Sequence, residues 1–261
     1  TRNAAAACAA SRTRCAALVN ASAEHVAFVP SVAYGMGIVA RNLAPCVGQN
    51  IVLLGEQFPS NVYPWRRWQG VEQRVVRAPF ATTAPHTHPA RLLDRAVAWN
   101  GALLAAIDHD TALVAVEQAH WTDGTLFDLE RIGTRCREVG AAFVIDATQT
   151  VGAMPFDCAR IRPDALIVHA YKSMLSNYGL GFAVLGDRFV GGEPLEEHWM
   201  MRAGSDDFAR LVDYAEAYAA GMRRYDTNLR ASPVMIEMLG TACELLQVLH
   251  LAGAADQAGH V

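Results

Sequence analysis

Lysine is nearly missing from this chain of 261 residues: of its 22 lysine and arginine residues only one, Lys172, is lysine. Arginine fills every other basic position, so a general need for surface cations does not explain the single amine that is kept. An amine that must lose its proton to act is a task for lysine and not for arginine. Basic charge as a whole is also scarce. A net charge of −4 and a pI near 6.1 leave no basic face of the kind nucleic acid requires. No apolar run reaches the length needed to cross a bilayer. The six cysteines, Cys8, Cys15, Cys46, Cys136, Cys158 and Cys243, are scattered, with neither a CxxC pair nor metal-ligand spacing. That pattern excludes a disulfide framework and points to a reduced, cytoplasmic protein. His86 and His88 resemble metal ligands only superficially, because Pro85 and Pro89 flank them and no partner cluster is visible; they read as loop. A GxGxxG fingerprint is absent too, so a nucleotide-dependent reductase loses its main support. Tyr171 and Lys172 are adjacent, unlike the spaced Tyr and Lys of a short-chain dehydrogenase.

What is present is a regular alternation. Hydrophobic residues make up 52% of the chain, enough for a large core. Apolar runs of strand length recur at Val26–Val29, Ile51–Leu54, Arg74–Arg77, Ala112–Val116, Phe143–Ile145, Ala165–Val168 and Gly181–Leu185. Helical patterns intervene at Tyr34–Ala44, His88–Asp108 and Leu126–Val139, and strands alternating with helices predict a mainly parallel sheet covered on both faces. The connection into Gly181–Leu185 is short and has no helical period, so that strand is a candidate for antiparallel pairing. Asp206–Arg224 and Pro233–Leu251 read as two more helices, joined by the polar stretch Tyr225–Arg230, where a smaller domain begins. The Ala- and Arg-rich start suits a transit peptide or, the preferred reading, an amphipathic helix over Ala4–Asn20. A start at Thr1 and an ending unlike a domain terminus lead us to expect a piece of a longer chain.

The chemistry concentrates at two strand ends. Ala141–Ile145 runs into Asp146-Ala147-Thr148-Gln149, and Ala165–Val168 runs into His169-Ala170-Tyr171-Lys172. Carboxyl ends of strands in an open α/β sheet are where ligands bind. An acid on one such end and a lysine past another suit pyridoxal phosphate, whose aldehyde forms a Schiff base with the amine while the acid keeps the pyridine nitrogen protonated. Alone, Asp146 also reads as a helix or turn cap. Gln149 lies one turn on and can face the phenolic oxygen. Ser31–Gly37, between a strand and a helix, offers backbone N–H groups to a phosphate, although glycines in such turns are routine. Phe58–Arg67 is an aromatic, proline-rich loop that either faces a flat cofactor or packs ordinarily. His120, in Glu117-Gln118-Ala119-His120-Trp121, is an acid/base candidate that reads better as a hydrogen-bonded loop histidine.

With these residues in place, the chain resembles the class V aminotransferase family, the pyridoxal-phosphate enzymes of fold type I that include cysteine desulfurases, selenocysteine lyases and isopenicillin N epimerase. The resemblance spans about Glu24 to Ala242 and is strongest over Phe143–Phe182, in Val-Ile-Asp-Ala-Thr-Gln and Tyr-Lys-Ser-Met-Leu-Ser-Asn-Tyr-Gly-Leu-Gly-Phe. It implies an α/β fold, a three-layer αβα large domain over residues 1–225 with a mostly parallel seven-stranded sheet. Residues 226–261 are then the start of a C-terminal small domain that is largely absent. It implies Lys172 as the Schiff-base lysine and Asp146 as partner of the pyridine nitrogen, with Gln149 at the phenolic oxygen and Thr148 among the cofactor-binding residues. His169 and Tyr171 fall at phosphate-binding positions, Ala33 and Tyr34 in the first phosphate loop, and Phe58 where a residue stacks on the ring.

Departures from the family pattern bear on the reaction. Cysteine desulfurases carry His where Phe58 stands and Asn where Trp121 stands, and Phe58 stacks but shuttles no proton. Ala33 lacks a hydroxyl that often binds phosphate, and Ser176-Asn177 replaces a usual Gly-Pro. The absent small domain usually supplies the arginine for the substrate carboxylate. The resemblance therefore implies a homodimeric enzyme acting at the α-carbon of an amino acid as lyase, epimerase or transaminase, with no nucleic acid or membrane partner and with lyase or epimerase chemistry favoured. The alternative is a truncated or degenerate homologue with a non-catalytic binding role.

Overall fold

Most of the apolar runs form strands that are buried on both faces, where alternation is not needed. The computed structural model describes residues 2–79, 89–228 and 233–258. Its strands are β1 (Val26–Val29), β2 (Asn50–Leu54), β3 (Glu72–Val76), β4 (Thr111–Glu117), β5 (Ala142–Asp146), β6 (Ala165–His169) and β7 (Gly181–Leu185). They form one seven-stranded sheet in the order β1-β7-β6-β5-β4-β2-β3. β7 runs antiparallel to β1 and β6, as its short connection predicted, and the other pairings are parallel. Every residue of β1, β2, β5, β6 and β7 is buried, whereas edge strand β3 is mostly exposed or half-buried.

Helices cover both faces: α1 (Arg2–Leu18), α2 (Val32–Asn42), α3 (Pro89–Ala105), α4 (Leu129–Val139), the short α5 (Cys158–Ile161) and α6 (Pro233–Ala258). Successive strand residues point to opposite faces, so the core divides in two. Phe28, Val114, Phe143 and Leu166 pack with Cys15, Trp99, Ile132 and Leu239 on one side. Ala27, Ala115, Val144 and Ile167 pack with Met36, Val39 and Trp65 on the other. Full burial of such a side chain stabilises the fold by about 1.5–3 kcal/mol. The result is the three-layer αβα arrangement. Helix α2 approaches β6 so closely that a Cβ on Gly35 would lie 2.9 Å from the Ile167 side chain. Helix α4 is bounded by an Asp128 N-cap, which accepts from Arg131 N, and by Gly140 at φ 79°.

One helix expected from the sequence does not form. Asp206–Arg224 contains only the short 3-10 turns Phe208–Arg210 and Gly221–Tyr225. Its backbone bonds to the preceding segment instead: Ala203 N donates to Ala217 O at 2.9 Å and Ala219 N to Met201 O at 2.7 Å. Gly221, at φ 66°, is held so near the Glu24 backbone that a Cβ would lie 2.6 Å from its oxygen. Tertiary pairing here outweighs the helical pattern. Helix α6 begins at Pro233, as expected, but runs on to Ala258. It packs along α1, where Ser11 Oγ donates to Ile236 O at 2.9 Å and the Cys15 and Cys243 sulfurs lie 3.6 Å apart. The His86-Thr87-His88 motif lies outside the described residues. Among those described, no helix is long and apolar enough to cross a membrane.

Candidate active site

The parallel strands bring their carboxyl ends to one edge of the sheet, and Asp146 stands near its middle. It is 6% exposed and receives two N–H groups, Thr148 N on Oδ1 at 3.0 Å and Asn61 Nδ2 on Oδ2 at 3.1 Å. Burial raises its pKa, and the Thr148, Asn61 and Lys172 interactions only partly oppose that rise. No cation lies within ion-pair distance among the described residues. Thr148 ties the neighbouring strand in, its Oγ1 accepting His169 N at 3.0 Å.

His169 ends β6 opposite Gly181 of β7. Its Nε2 accepts the Gly179 N–H at 3.2 Å, which places the ring proton on Nδ1. Burial, then the charge of Lys172, lower its pKa and favour this neutral form. Its ring meets Tyr171 edge-on at 4.6 Å and Tyr178 at 5.3 Å. The Tyr178 hydroxyl is raised in pKa through its hydrogen bond to Tyr171. Lys172 follows on a tight turn closed by Leu175 N to Lys172 O at 3.0 Å and Ser176 N to Ala170 O at 3.1 Å. It is half-buried, with Nζ 5.6 Å from the centre of the Tyr171 ring. Gly152 makes room for this turn: at φ 100°, a Cβ there would lie 2.3 Å from Ser173 O. Gln149 sits half-buried on the turn after β5.

Phe58 lies on the loop after β2, its N–H donating to Glu117 Oε1 at 2.8 Å. Its ring is 38% exposed and meets Trp121 edge to face at 5.6 Å. Ala33 and Tyr34 lie in the first turn of α2. Ser31 caps that helix by accepting Tyr34 N at 3.1 Å, which leaves the Val32 and Ala33 N–H groups for an anion. The Tyr34 hydroxyl is engaged by Glu196, which with burial raises its pKa, so its side chain is not joined to the Asp146 cluster. His120 is held at both nitrogens, by Gly55 O at 3.0 Å and Thr122 Oγ1 at 2.8 Å, as a loop histidine.

Two residues at this edge were not singled out from the sequence. Glu117 ends β4 directly opposite Asp146 in the pairing of the two strands. Asn61, fully buried, donates to both acids. Glu117 closes an apolar run as Asp146 does, so the rule that found one acid could have found the other. Asn61 left no such signal.

The group fits pyridoxal phosphate. Asp146 is a buried acid with lone pairs to spare and no ion-pair partner among the described residues, and a protonated pyridine nitrogen would supply one. Asn61 Oδ1 and Ser176 Oγ, at the same edge, are buried without partners among the described residues. An amine, a neutral imidazole and helix N–H groups complete a donor set for an aldehyde and a phosphate.

Comparison with known proteins agrees. The sequence pattern of the family described as aminotransferase class-V matches residues 1–196. A probable cysteine desulfurase of Methanothermobacter thermautotrophicus is 30% identical over 218 residues, 80% of this chain and 50% of that protein. In fold, the chain is similar to C-DES, a cystine C–S lyase solved with its product cysteine persulfide, at a TM-score of 0.76 and 20% identity over 94% of this chain and 62% of that one. A C-DES mutant with glycine covalently linked to the PLP cofactor gives the same TM-score of 0.76 and 20% identity, over 94% of this chain and 61% of that one. The chain spans about half the length of the curated relatives it matches. By its sequence, its fold and the acid, amine and imidazole gathered at the sheet's carboxyl edge, this chain belongs to the class V aminotransferase family, whose enzymes use pyridoxal phosphate.

Proposed function

We propose that this chain holds the cofactor centre of a pyridoxal-phosphate enzyme acting at the α-carbon of an amino acid, as lyase, epimerase or transaminase. The observation that carries the proposal is that the chain's single lysine and a buried acid with no ion-pair partner among the described residues stand at the same edge of the sheet. When bound, the cofactor supplies an aldehyde for amines and a ring that accepts electrons from the α-carbon. Lys172 Nζ is the attachment point and then the base that removes or returns the Cα proton. Asp146 holds a proton on the pyridine nitrogen, and Thr148 fixes that carboxylate against His169. Gln149 faces the phenolic oxygen. His169, Tyr171 and the N–H of Ala33 bind or border the phosphate, beside Tyr34 whose own N–H is given to Ser31, and Phe58 covers one ring face. Neither Phe58 nor Trp121 exchanges protons, so proton transfer falls to Lys172. That favours lyase or epimerase chemistry over desulfuration. A homodimer, and a boundary at residue 225 with 226–261 opening a smaller domain, belong to the same proposal.

The test is a visible spectrum of the protein with added pyridoxal phosphate, before and after borohydride, beside Lys172→Ala. With one lysine in the chain, reduction has one ε-amino group to fix. A band that reduction renders covalent, mapped to the Lys172 peptide and lost in the variant, supports the proposal. A folded protein with no such band overturns it and favours a non-catalytic homologue.

A further inference from the structure

Glu117 has no part in the chemistry above, yet it is 1% exposed and directly opposite Asp146 on the adjacent strand. Three N–H groups converge on it: Phe58 N at 2.8 Å and Asn61 Nδ2 at 3.3 Å on Oε1, and Trp121 N at 2.9 Å on Oε2. Among the described residues no cation pairs with it. The loop after β2 and the loop after β4 are thus fastened to one side chain, an arm each. A second tie closes the arrangement, Trp121 Nε1 donating to Glu56 O at 2.7 Å. Asn61 carries the link onward by donating also to Asp146 Oδ2. A carboxyl group accepts on both arms, whereas a glutamine would turn an NH₂ toward one of the loop N–H groups.

Phe58 and Trp121, one on each of the two fastened loops, touch edge to face at 5.6 Å. We propose that Glu117 is a positioning residue: it clamps the two loops so that Phe58 and Trp121 form one aromatic wall beside Asp146, and that wall sets the apolar side of the ring and substrate pocket. Phe58 and Trp121 are then a single unit anchored by one buried carboxyl. Burial pushes that carboxyl up to about 7, which suits a group kept for its acceptor geometry more than for its charge. The pocket part rests on the cofactor reading; the clamp itself does not.

The experiment uses the full chain. Without cofactor, amide hydrogen exchange of the wild type is expected to show Phe58 and Trp121 protected, although both lie outside helices and strands. In Glu117→Gln, acrylamide quenching of Trp121, isolated by difference against Trp121→Phe, is expected to rise. With pyridoxal phosphate added, the variant is expected to bind about tenfold more weakly, the equivalent of one hydrogen bond. The induced circular dichroism of the bound cofactor falls as its ring loses a fixed orientation, while borohydride still fixes it to Lys172. Unprotected Phe58 and Trp121 amides in the wild type overturn the proposal even if the variant fails to fold. So does a folded Glu117→Gln with unchanged quenching, affinity and dichroism. A wild type that binds no pyridoxal phosphate defeats the cofactor reading instead, and the exchange and quenching results still decide the clamp.

Discussion

Two places among the described residues bury carboxylates, and they satisfy them in opposite ways. Asp226, 1% exposed, meets Arg12 through both guanidinium nitrogens, Nη1 at 3.2 Å and Nη2 at 2.7 Å, and accepts Phe28 N at 2.9 Å. Arg12 lies over the Phe28 ring at 4.6 Å and also bonds Val26 O. Opposite charges cancel there, and the pair fastens α1 and the segment after Tyr225 to β1. At the carboxyl edge, Asp146 and Glu117 lie side by side and receive only N–H groups. Both are raised in pKa, first by burial. The first arrangement is complete without a ligand. The second is electrostatically unfinished, which is the condition expected of a binding site.

The sharpest break in this comparison comes from removing one member of each set. Arg12→Ala strands Asp226 in the interior and is expected to cost about 3–5 kcal/mol of stability, measured by denaturant unfolding. Cofactor affinity of the molecules that remain folded should be unchanged. Asp146→Asn is expected to do the reverse. It removes a buried charge that has no ion-pair partner among the described residues but turns an NH₂ toward one of its two N–H donors, so stability should change by no more than about 1 kcal/mol. Turnover of whichever amino acid serves as substrate should fall about 10²–10³-fold, the range for losing one preorganised electrostatic contact. If Asp146→Asn destabilises the fold as much as Arg12→Ala, the acid is structural and the contrast fails.

Much of this was legible in the sequence, for reasons that also explain what was not. Most of the strands announce themselves as apolar runs because a strand buried on both faces needs no polar alternation, whereas edge strand β3 mixes polar and apolar residues. Asp146 and Lys172 stand out because an acid ending a buried strand and a solitary lysine each demand a reason. Glu117 obeys the same rule, but its partnership with Asp146 exists only in the β4–β5 register, which no local pattern encodes. Asn61 looks like any polar loop residue until folding sets its amide between two acids. The helical period of segment 206–224 misleads because its backbone hydrogen bonds go to residues 201–203, contacts that no local pattern reveals. Tyr34 falls at a phosphate-loop position by resemblance, yet its hydroxyl is turned to Glu196, a residue distant in sequence.

A finer test of the unfinished edge uses pH. Glu117 is raised from an ordinary 4.5 to about 7. The folded state therefore holds this proton more tightly than the unfolded chain does. Stability from this group is fully present below about pH 4.5 and is lost as pH rises through about 7. The integrated loss is on the order of 3 kcal/mol. Asp146 is shifted in the same direction, so the contribution of Glu117 is read as the difference between wild type and Glu117→Gln, followed by unfolding free energy from pH 4 to pH 8. A flatter pH profile in the variant is expected. Parallel profiles would mean that Glu117 is charged in the fold and that the two carboxylate environments differ less than their partners suggest.

The smallest effect expected is at the aromatic wall. Trp121→Phe keeps a ring against Phe58 and keeps the backbone N–H that reaches Glu117, losing only the indole bond to Glu56 O. Trp121 is 45% exposed, so water replaces that bond at little cost. The expected loss is under about 1 kcal/mol, a melting shift of no more than about 2–4 °C. If the shift is much larger, the indole and not the carboxyl holds the two loops together. Glu117 would then be a buried acid tolerated beside Asp146 and not the group that positions the wall.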